Sequence, residues 1–197
     1  TVTSSSCHMA SDLSHTGGAA TKFNFAPVSD REGELVYGAE RPGTGLKEFD
    51  NPDTITPEAV AEWAAFMKGQ GVQRILCLLN DKEMAHYQAP GYLKGLLNSG
   101  FEEAKITFAD MFQPGAADKA AAAFAGAKSC GEKLVCHCAG GEGRTGVVLA
   151  QYLLLEEPSL SAQDAIDKIT GCAAAKGAIR KGAGPKIEKF LKDRTLA

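Results

Sequence analysis

The chain has 197 residues, 44% apolar and 23% charged, with a formal net charge of −3. That length supports one sizeable core, and that charge excludes a general attraction to nucleic acid or to acidic membrane surfaces. No apolar run approaches the roughly 20 residues of a membrane helix, and the six irregularly spaced cysteines (Cys7, Cys77, Cys130, Cys136, Cys138 and Cys172) fit a reducing compartment better than a disulfide scaffold.

Residues 1–25 begin rich in Ser, Thr, Gly and Ala and lack apolar periodicity. They are expected to be an unstructured extension, a remnant of expression or the end of a processed targeting peptide; no apolar h-region marks a secretory signal. Residues 26–197 are expected to form a single domain. A short strand is predicted over Glu34 to Gly38, then a loop from Arg41 to Thr56 punctuated by Pro42, Gly43, Gly45, Asn51 and Pro52. Thr56 caps a predicted helix with Pro57 at its first position, and Val60, Trp63, Ala64 and Met67 recur at helical spacing along it. Val72 to Leu79 reads as a buried strand. A helical region follows, broken near Pro90-Gly91. Ala104 to Phe108 is the next strand, Ala116 to Lys128 an alanine-rich helix and Lys133 to His137 another strand. Arg144 to Leu155 is apolar almost all round and predicts a central helix. Helices near Ala162 to Ile169 and Pro185 to Lys192 end the chain. Strands alternating with helices predict an α/β fold with a mostly parallel central sheet, whose ligands bind beyond the carboxyl ends of the strands.

The segment His137-Cys138-Ala139-Gly140-Gly141-Glu142-Gly143-Arg144-Thr145-Gly146 lies at such an end, between a strand and an apolar helix. Gly140, Gly141 and Gly143 allow positive φ, so that the N–H groups of residues 139–143 converge. With the helix dipole they predict a site for phosphate, bound by Ala139, Gly140, Gly141, Glu142, Gly143 and Arg144. The planar guanidinium of Arg144 suits two phosphate oxygens. Cys138 at the mouth of this positive nest is expected to favour its thiolate, the nucleophilic form. Thr145 can donate its hydroxyl to that sulfur when it leaves, and His137 is expected to support the loop. Cys136-His137-Cys138 has no second ligand pair at metal-binding spacing, so neither a metal nor another cofactor is expected.

This segment resembles the signature loop of the protein tyrosine phosphatase superfamily. The small size resembles its dual-specificity branch, and Ile75-Leu76-Cys77-Leu78-Leu79-Asn80-Asp81 before a helix is similar to kinase-associated-phosphatase-like members. The resemblance covers roughly Glu34 to Leu191. It implies a cysteine-dependent phosphatase fold with four or five strands flanked by helices, no metal, and a cysteinyl-phosphate intermediate. It also implies a general acid on the loop after the preceding strand. Asp110, in Ala109-Asp110-Met111-Phe112-Gln113-Pro114, is the candidate, with Asp81 as the alternative. Cys77 is a candidate resolving cysteine for oxidised Cys138, with a buried apolar cysteine as the alternative. Glu142, at the rim of a loop that carries no lysine, is expected to steer highly anionic substrates away unless it pairs with a neighbouring base. Lys176, Arg180, Lys181, Lys186, Lys189 and Lys192 form a basic region, either a solvated face or a docking surface for phosphorylated substrate.

The resemblance implies hydrolysis of phosphotyrosine or phosphoserine/threonine in proteins. A phosphoglucan, an inositol phosphate or an RNA 5′ end stands as the alternative substrate. A rhodanese-type sulfurtransferase and a non-catalytic phosphate-binding module are the more distant readings. The expected partner is a phosphorylated protein, with no nucleic acid and no membrane. A monomer is expected, intracellular and cytoplasmic, with organellar import left open.

Overall fold

A computed structural model describes residues 21–43 and 54–192. Residues 1–20 and 44–53, which hold most of the expected extension and most of the expected loop, lie outside the described residues, as do 193–197. In chain order the elements are β1 (Ala26–Pro27), β2 (Val36–Glu40), α1 (Pro57–Gly69), β3 (Val72–Cys77), α2 (Asp81–Met84), α3 (Tyr92–Asn98), β4 (Ile106–Phe108), α4 (Ala116–Cys130), β5 (Lys133–Cys138), α5 (Gly143–Glu156), α6 (Ala162–Ala175) and α7 (Gly184–Lys192).

Local signals explain most of these boundaries. Thr56 Oγ1 accepts the Ala59 N–H at 3.3 Å, Pro57 takes the first turn, and Val60, Trp63, Ala64 and Met67 are the buried stripe of α1. Asn80 and Glu83 form a capping box around the start of α2, each side chain accepting the other's backbone N–H at 3.0 Å. Gly131, with φ 63°, ends α4 in the left-handed conformation. β4 starts later than its sequence pattern suggests because Glu103–Lys105 close a 3₁₀ turn. The N-terminal extension also ends earlier than residue 25. Lys22–Asn24 form a 3₁₀ turn, and the Phe25 ring stacks on Tyr37 with centroids 4.9 Å apart.

The five strands form a sheet in the order β1-β2-β5-β3-β4. β1 pairs antiparallel with β2, and every other pairing is parallel. This is an α/β fold with a mostly parallel five-stranded sheet between helices. β5 lies at its centre, with Tyr37 opposite Val135 on one side and Ile75 opposite Val135 on the other.

The period of two along β5 divides the molecule. Leu134, Cys136 and Cys138 pack with α4, α5, α6 and α7, whereas Val135 packs with α1 and α3. α5 is buried from Thr145 through Leu153 and explains its apolar sequence as the central helix of its layer. The carboxyl ends of β3, β4 and β5 open toward one edge, where the loops after them meet. None of the described helices is long and apolar enough to cross a membrane.

Candidate active site

Cys138 is the last residue of β5 and only 4% exposed. It sits in the lining of a cavity of about 760 Å³, with Gly140, Glu142, Gly143 and Arg144 beside it. The intervening turn is fastened from several directions. Arg41 N–H donates to Ala139 O at 3.2 Å and Asn24 Nδ2 to Gly140 O at 2.9 Å. Glu142 O accepts from Gly146 N–H at 2.9 Å and from Lys181 N–H at 3.3 Å.

Gly141 is the one glycine of residues 139–143 with positive φ, at 69°. A Cβ there would also lie 2.5 Å from the carbonyl carbon and oxygen of Ala39. Both the backbone conformation and the close approach of β2 therefore require glycine. Gly140 and Gly143 do not take the positive φ expected of them, and Gly143 is already the first residue of α5. The helix nevertheless begins against the cavity, and its first N–H groups have no intrahelical acceptor.

Arg144 is held by a residue the sequence reading missed. Its Nη1 donates to Leu78 O at 2.9 Å and to Glu83 Oε2 at 2.7 Å, and its Nη2 donates to Glu83 Oε1 at 2.5 Å. Of five guanidinium hydrogens, these bonds leave the Nε–H and one Nη2–H, the adjacent pair that matches two oxygens of a phosphate. Burial works against the Arg144 charge. The bond to Glu83, aided by neighbouring acidic groups that include Asp110, outweighs it and raises the pKa. For Glu83, half-burial opposes ionisation, but the bonds from Arg144 and the Asn80 backbone hold its carboxyl below the usual range. The signal for Glu83 was present in the sequence. Asn80-Asp81-Lys82-Glu83 is a capping box after a strand, and it places a carboxylate at the carboxyl edge of the sheet. Asp81, the alternative acid, is exposed at the first position of α2.

His137 points away from the cavity, into the layer of α1 and α3. Its Nε2 lies 2.5 Å from the Tyr92 hydroxyl, and its ring packs edge-on to Trp63. Burial lowers its pKa to about 3 and raises that of Tyr92, so a neutral imidazole meets a protonated phenol that donates to Nε2. Trp63 in turn donates its Nε1–H to Glu40 O at 2.8 Å, tying α1 to β2.

Asp110 follows β4 and is half-buried, its charge felt by Arg144. Its Oδ1 accepts the Phe112 N–H at 3.0 Å, so it shapes its own turn as well. Met111 and Phe112 line the cavity, and Phe112 is 72% exposed at its rim. Thr145 Oγ1 is buried and makes no hydrogen bond in this structure, so the expected bond to Cys138 Sγ is not formed here.

Three further expectations change. Glu142 is paired with Lys181 Nζ, the alternative in which a neighbouring base offsets its rim charge. Cys77, the candidate redox partner, packs with α1 and α3 while Cys138 packs in the opposite layer, so the sheet lies between the two thiols. Burial pushes the Cys77 thiol up to about 12, which favours its protonated form among apolar neighbours. The basic region also divides. Arg180 is 97% removed from solvent (3% exposed), donating to Ile179 O and Asn24 O at 2.9 Å each. Lys176 pairs with Asp30 at 3.5 Å. Lys181, Lys186 and Lys189 alone of the six line the Cys138 cavity. Among the described residues, no cluster of three or more His, Cys, Asp or Glu side chains could hold a metal ion.

Comparison with known proteins places this geometry. Residues 51–157, more than half of the chain, match the model of the Tc-R-P family, described as "Polymorphic toxin system, DSP-PTPase phosphatase". No curated protein matches the chain. Among solved structures it is similar to kinase associated phosphatase with its catalytic cysteine substituted by serine (17% identity, 91% of this chain and 98% of that one covered, TM-score 0.61). It is also similar to Tk-PTP in the active form (18%, 87% and 95%, TM-score 0.53) and to PTPMT1 in complex with PI(5)P (13%, 87% and 94%, TM-score 0.56). These likenesses extend the shared fold well beyond the segment that the family model matches. The chain therefore belongs to the Tc-R-P family of DSP-PTPase phosphatases, and is a cysteine-dependent phosphatase with the protein tyrosine phosphatase fold.

Proposed function

We propose that this phosphatase hydrolyses phosphate monoesters on phosphorylated proteins, by way of a cysteinyl-phosphate on Cys138. The observation that carries the reading is the oriented guanidinium. Glu83 and Leu78 consume one edge of Arg144 and leave the other for phosphate, in a cavity that Cys138 lines. The Cys138 thiolate attacks phosphorus, and the bond from phosphorus to the ester oxygen breaks. Asp110, as the carboxylic acid, protonates that departing oxygen. Water then attacks phosphorus and gives its proton to the Asp110 carboxylate, the S–P bond breaks, and inorganic phosphate leaves with the thiolate restored. The Thr145 hydroxyl, buried without a partner, supplies a donor to the leaving sulfur. Backbone N–H groups at the start of α5 and Arg144 stabilise the charge on the transferring group throughout. Phe112 at the rim offers apolar surface to residues flanking a phosphorylated side chain. A small phosphorylated metabolite is the second reading, favoured by the lysines of the same cavity.

The test is hydrolysis of p-nitrophenyl phosphate and of a phosphopeptide panel in the presence of a metal chelator. Wild type is expected to turn over both, and Cys138→Ser neither, while still binding phosphopeptide. Activity that survives the substitution would overturn the mechanism. Turnover confined to non-protein phosphates would overturn the substrate class.

A further inference from the structure

Besides Met111, Phe112 and the signature loop, the Cys138 cavity is lined by one wall from a later segment of the chain: Lys181, Gly182, Ala183, Lys186, Lys189 and Phe190. This wall is fixed to the signature loop. Lys181 donates its backbone N–H to Glu142 O, and a Cβ on Gly146 would collide with the Lys181 carbonyl oxygen. α7 is amphipathic in the same sense. Ile187 and Phe190 are buried against the core, which turns Lys186 and Lys189, one helical turn apart, along the cavity side.

The charges in this wall do not cancel. Lys181 is matched by Glu142. No carboxylate pairs with Lys186 or Lys189 among the described residues, so two ammonium groups remain beside the place where one phosphate reacts. Two uncompensated positive charges match the charge of one further phosphate, and ammonium groups bind phosphate as point charges without demanding a planar partner.

We infer that Lys186 and Lys189 form a second phosphate subsite, so that the preferred substrate is a phosphomonoester carrying a second phosphate group. This rests on the phosphatase reading above and narrows its substrate. The second phosphate has two chemical sources, a polypeptide phosphorylated at two nearby residues or a small polyol bisphosphate, and the same lysines would serve either.

The experiment is calorimetric binding to Cys138→Ser protein, which separates recognition from chemistry. Two matched pairs are compared: a peptide with one or two phosphorylated residues, and inositol monophosphate or bisphosphate. The reading is the ratio of Kd for the singly to the doubly phosphorylated member, taken within one protein so that the active fraction cancels. The ratio is expected to exceed roughly 10 in at least one pair, and that pair identifies the source. Lys186→Gln/Lys189→Gln is expected to bring it down by about tenfold, as is rising salt. Each single glutamine variant covers the case in which the double variant does not fold. Lys128→Ala/Lys168→Ala, which removes two charges outside the cavity, is expected to leave the ratio unchanged. A ratio near one in both pairs, a ratio that survives the Lys186 and Lys189 substitutions, or one that falls equally in the control would overturn the inference. The loss of turnover in Cys138→Ser, measured separately, decides the chemistry.

Discussion

The turn at residues 139–143 and the loop at residues 109–115 face the same cavity but are built differently. The first is bonded by Asn24, Arg41 and Lys181, three distant points of the chain, and is pressed against β2 where Gly141 meets Ala39. The second is joined to the sheet through Ala109 N–H and Cys77 O at 2.9 Å. Beyond that point its shape comes from internal bonds, Phe112 N–H to Asp110 Oδ1 and Gln113 N–H to Asp110 O, both 3.0 Å. The difference follows the work each would do. Donors that stabilise charge on a transferring phosphate are effective only when already oriented. A proton donor must meet the oxygen of whichever leaving group arrives, and a locally built loop can adjust to it.

Asp110→Asn tests this contrast with the largest effect. Substrates with strongly basic leaving oxygens are expected to slow by about 10²- to 10⁴-fold, while p-nitrophenyl phosphate, whose leaving group needs little protonation, loses far less. Steady-state kinetics over a series of aryl and alkyl phosphates would show a steeper dependence on leaving-group basicity. If Asp81→Asn alone produces that slope, the acid is on α2 and the contrast between the loops fails.

Glu83→Gln loosens the rigid side without touching its donors. Arg144 keeps its charge but loses the carboxylate that orders one edge of its guanidinium. The expected loss is roughly 10- to 100-fold in kcat/KM, on good and poor leaving groups alike, which distinguishes it from Asp110→Asn. Glu83→Asp is expected to recover less than half of the loss, because its shorter side chain withdraws from Arg144. An unchanged kcat/KM would mean that Leu78 O alone suffices to position the guanidinium.

His137 allows the rigid side to be examined by stability, with a smaller effect. Its folded pKa of about 3 lies below the ordinary value of 6.5 because burial disfavours the charged ring. Between these values the unfolded chain binds the additional proton. Its contribution to stability is therefore complete above about pH 6.5 and is lost as pH falls through this window, by at most about 1.4 kcal/mol per pH unit. Urea denaturation of wild type and His137→Gln at pH 7, 5.5 and 4.5 is the measurement. The variant is expected to be less stable at pH 7 and to lose stability less steeply on acidification. Parallel acid limbs would place the titration elsewhere.

Much of this molecule was legible in its sequence because the signals are local. Thr56-Pro57 announces a helix start, the apolar run of α5 announces a buried helix, and strand–glycine turn–helix announces a tight loop feeding a helix N-terminus. The fold class and the strand that carries Cys138 follow from these short-range patterns. Other features depend on what the folded chain brings together. β1 is two residues long, too short for any periodicity, and exists because β2 offers it an edge. Cys77 and Cys138 lie in strands that share a neighbour relation, yet strand parity and packing send them to opposite faces. Charge is the clearest case. Along the chain Glu142 is a lone carboxylate in a phosphate loop, and Arg180 is one of six basic residues. In the fold Lys181 pairs with Glu142, Arg180 is buried against Gly38, and Glu83 reaches across from α2 to hold Arg144. Residue types and their periodicity determine which elements form. Which charges face one another is a matter of distances of a few ångströms between segments remote in sequence, and those distances exist only once the sheet has brought the segments together.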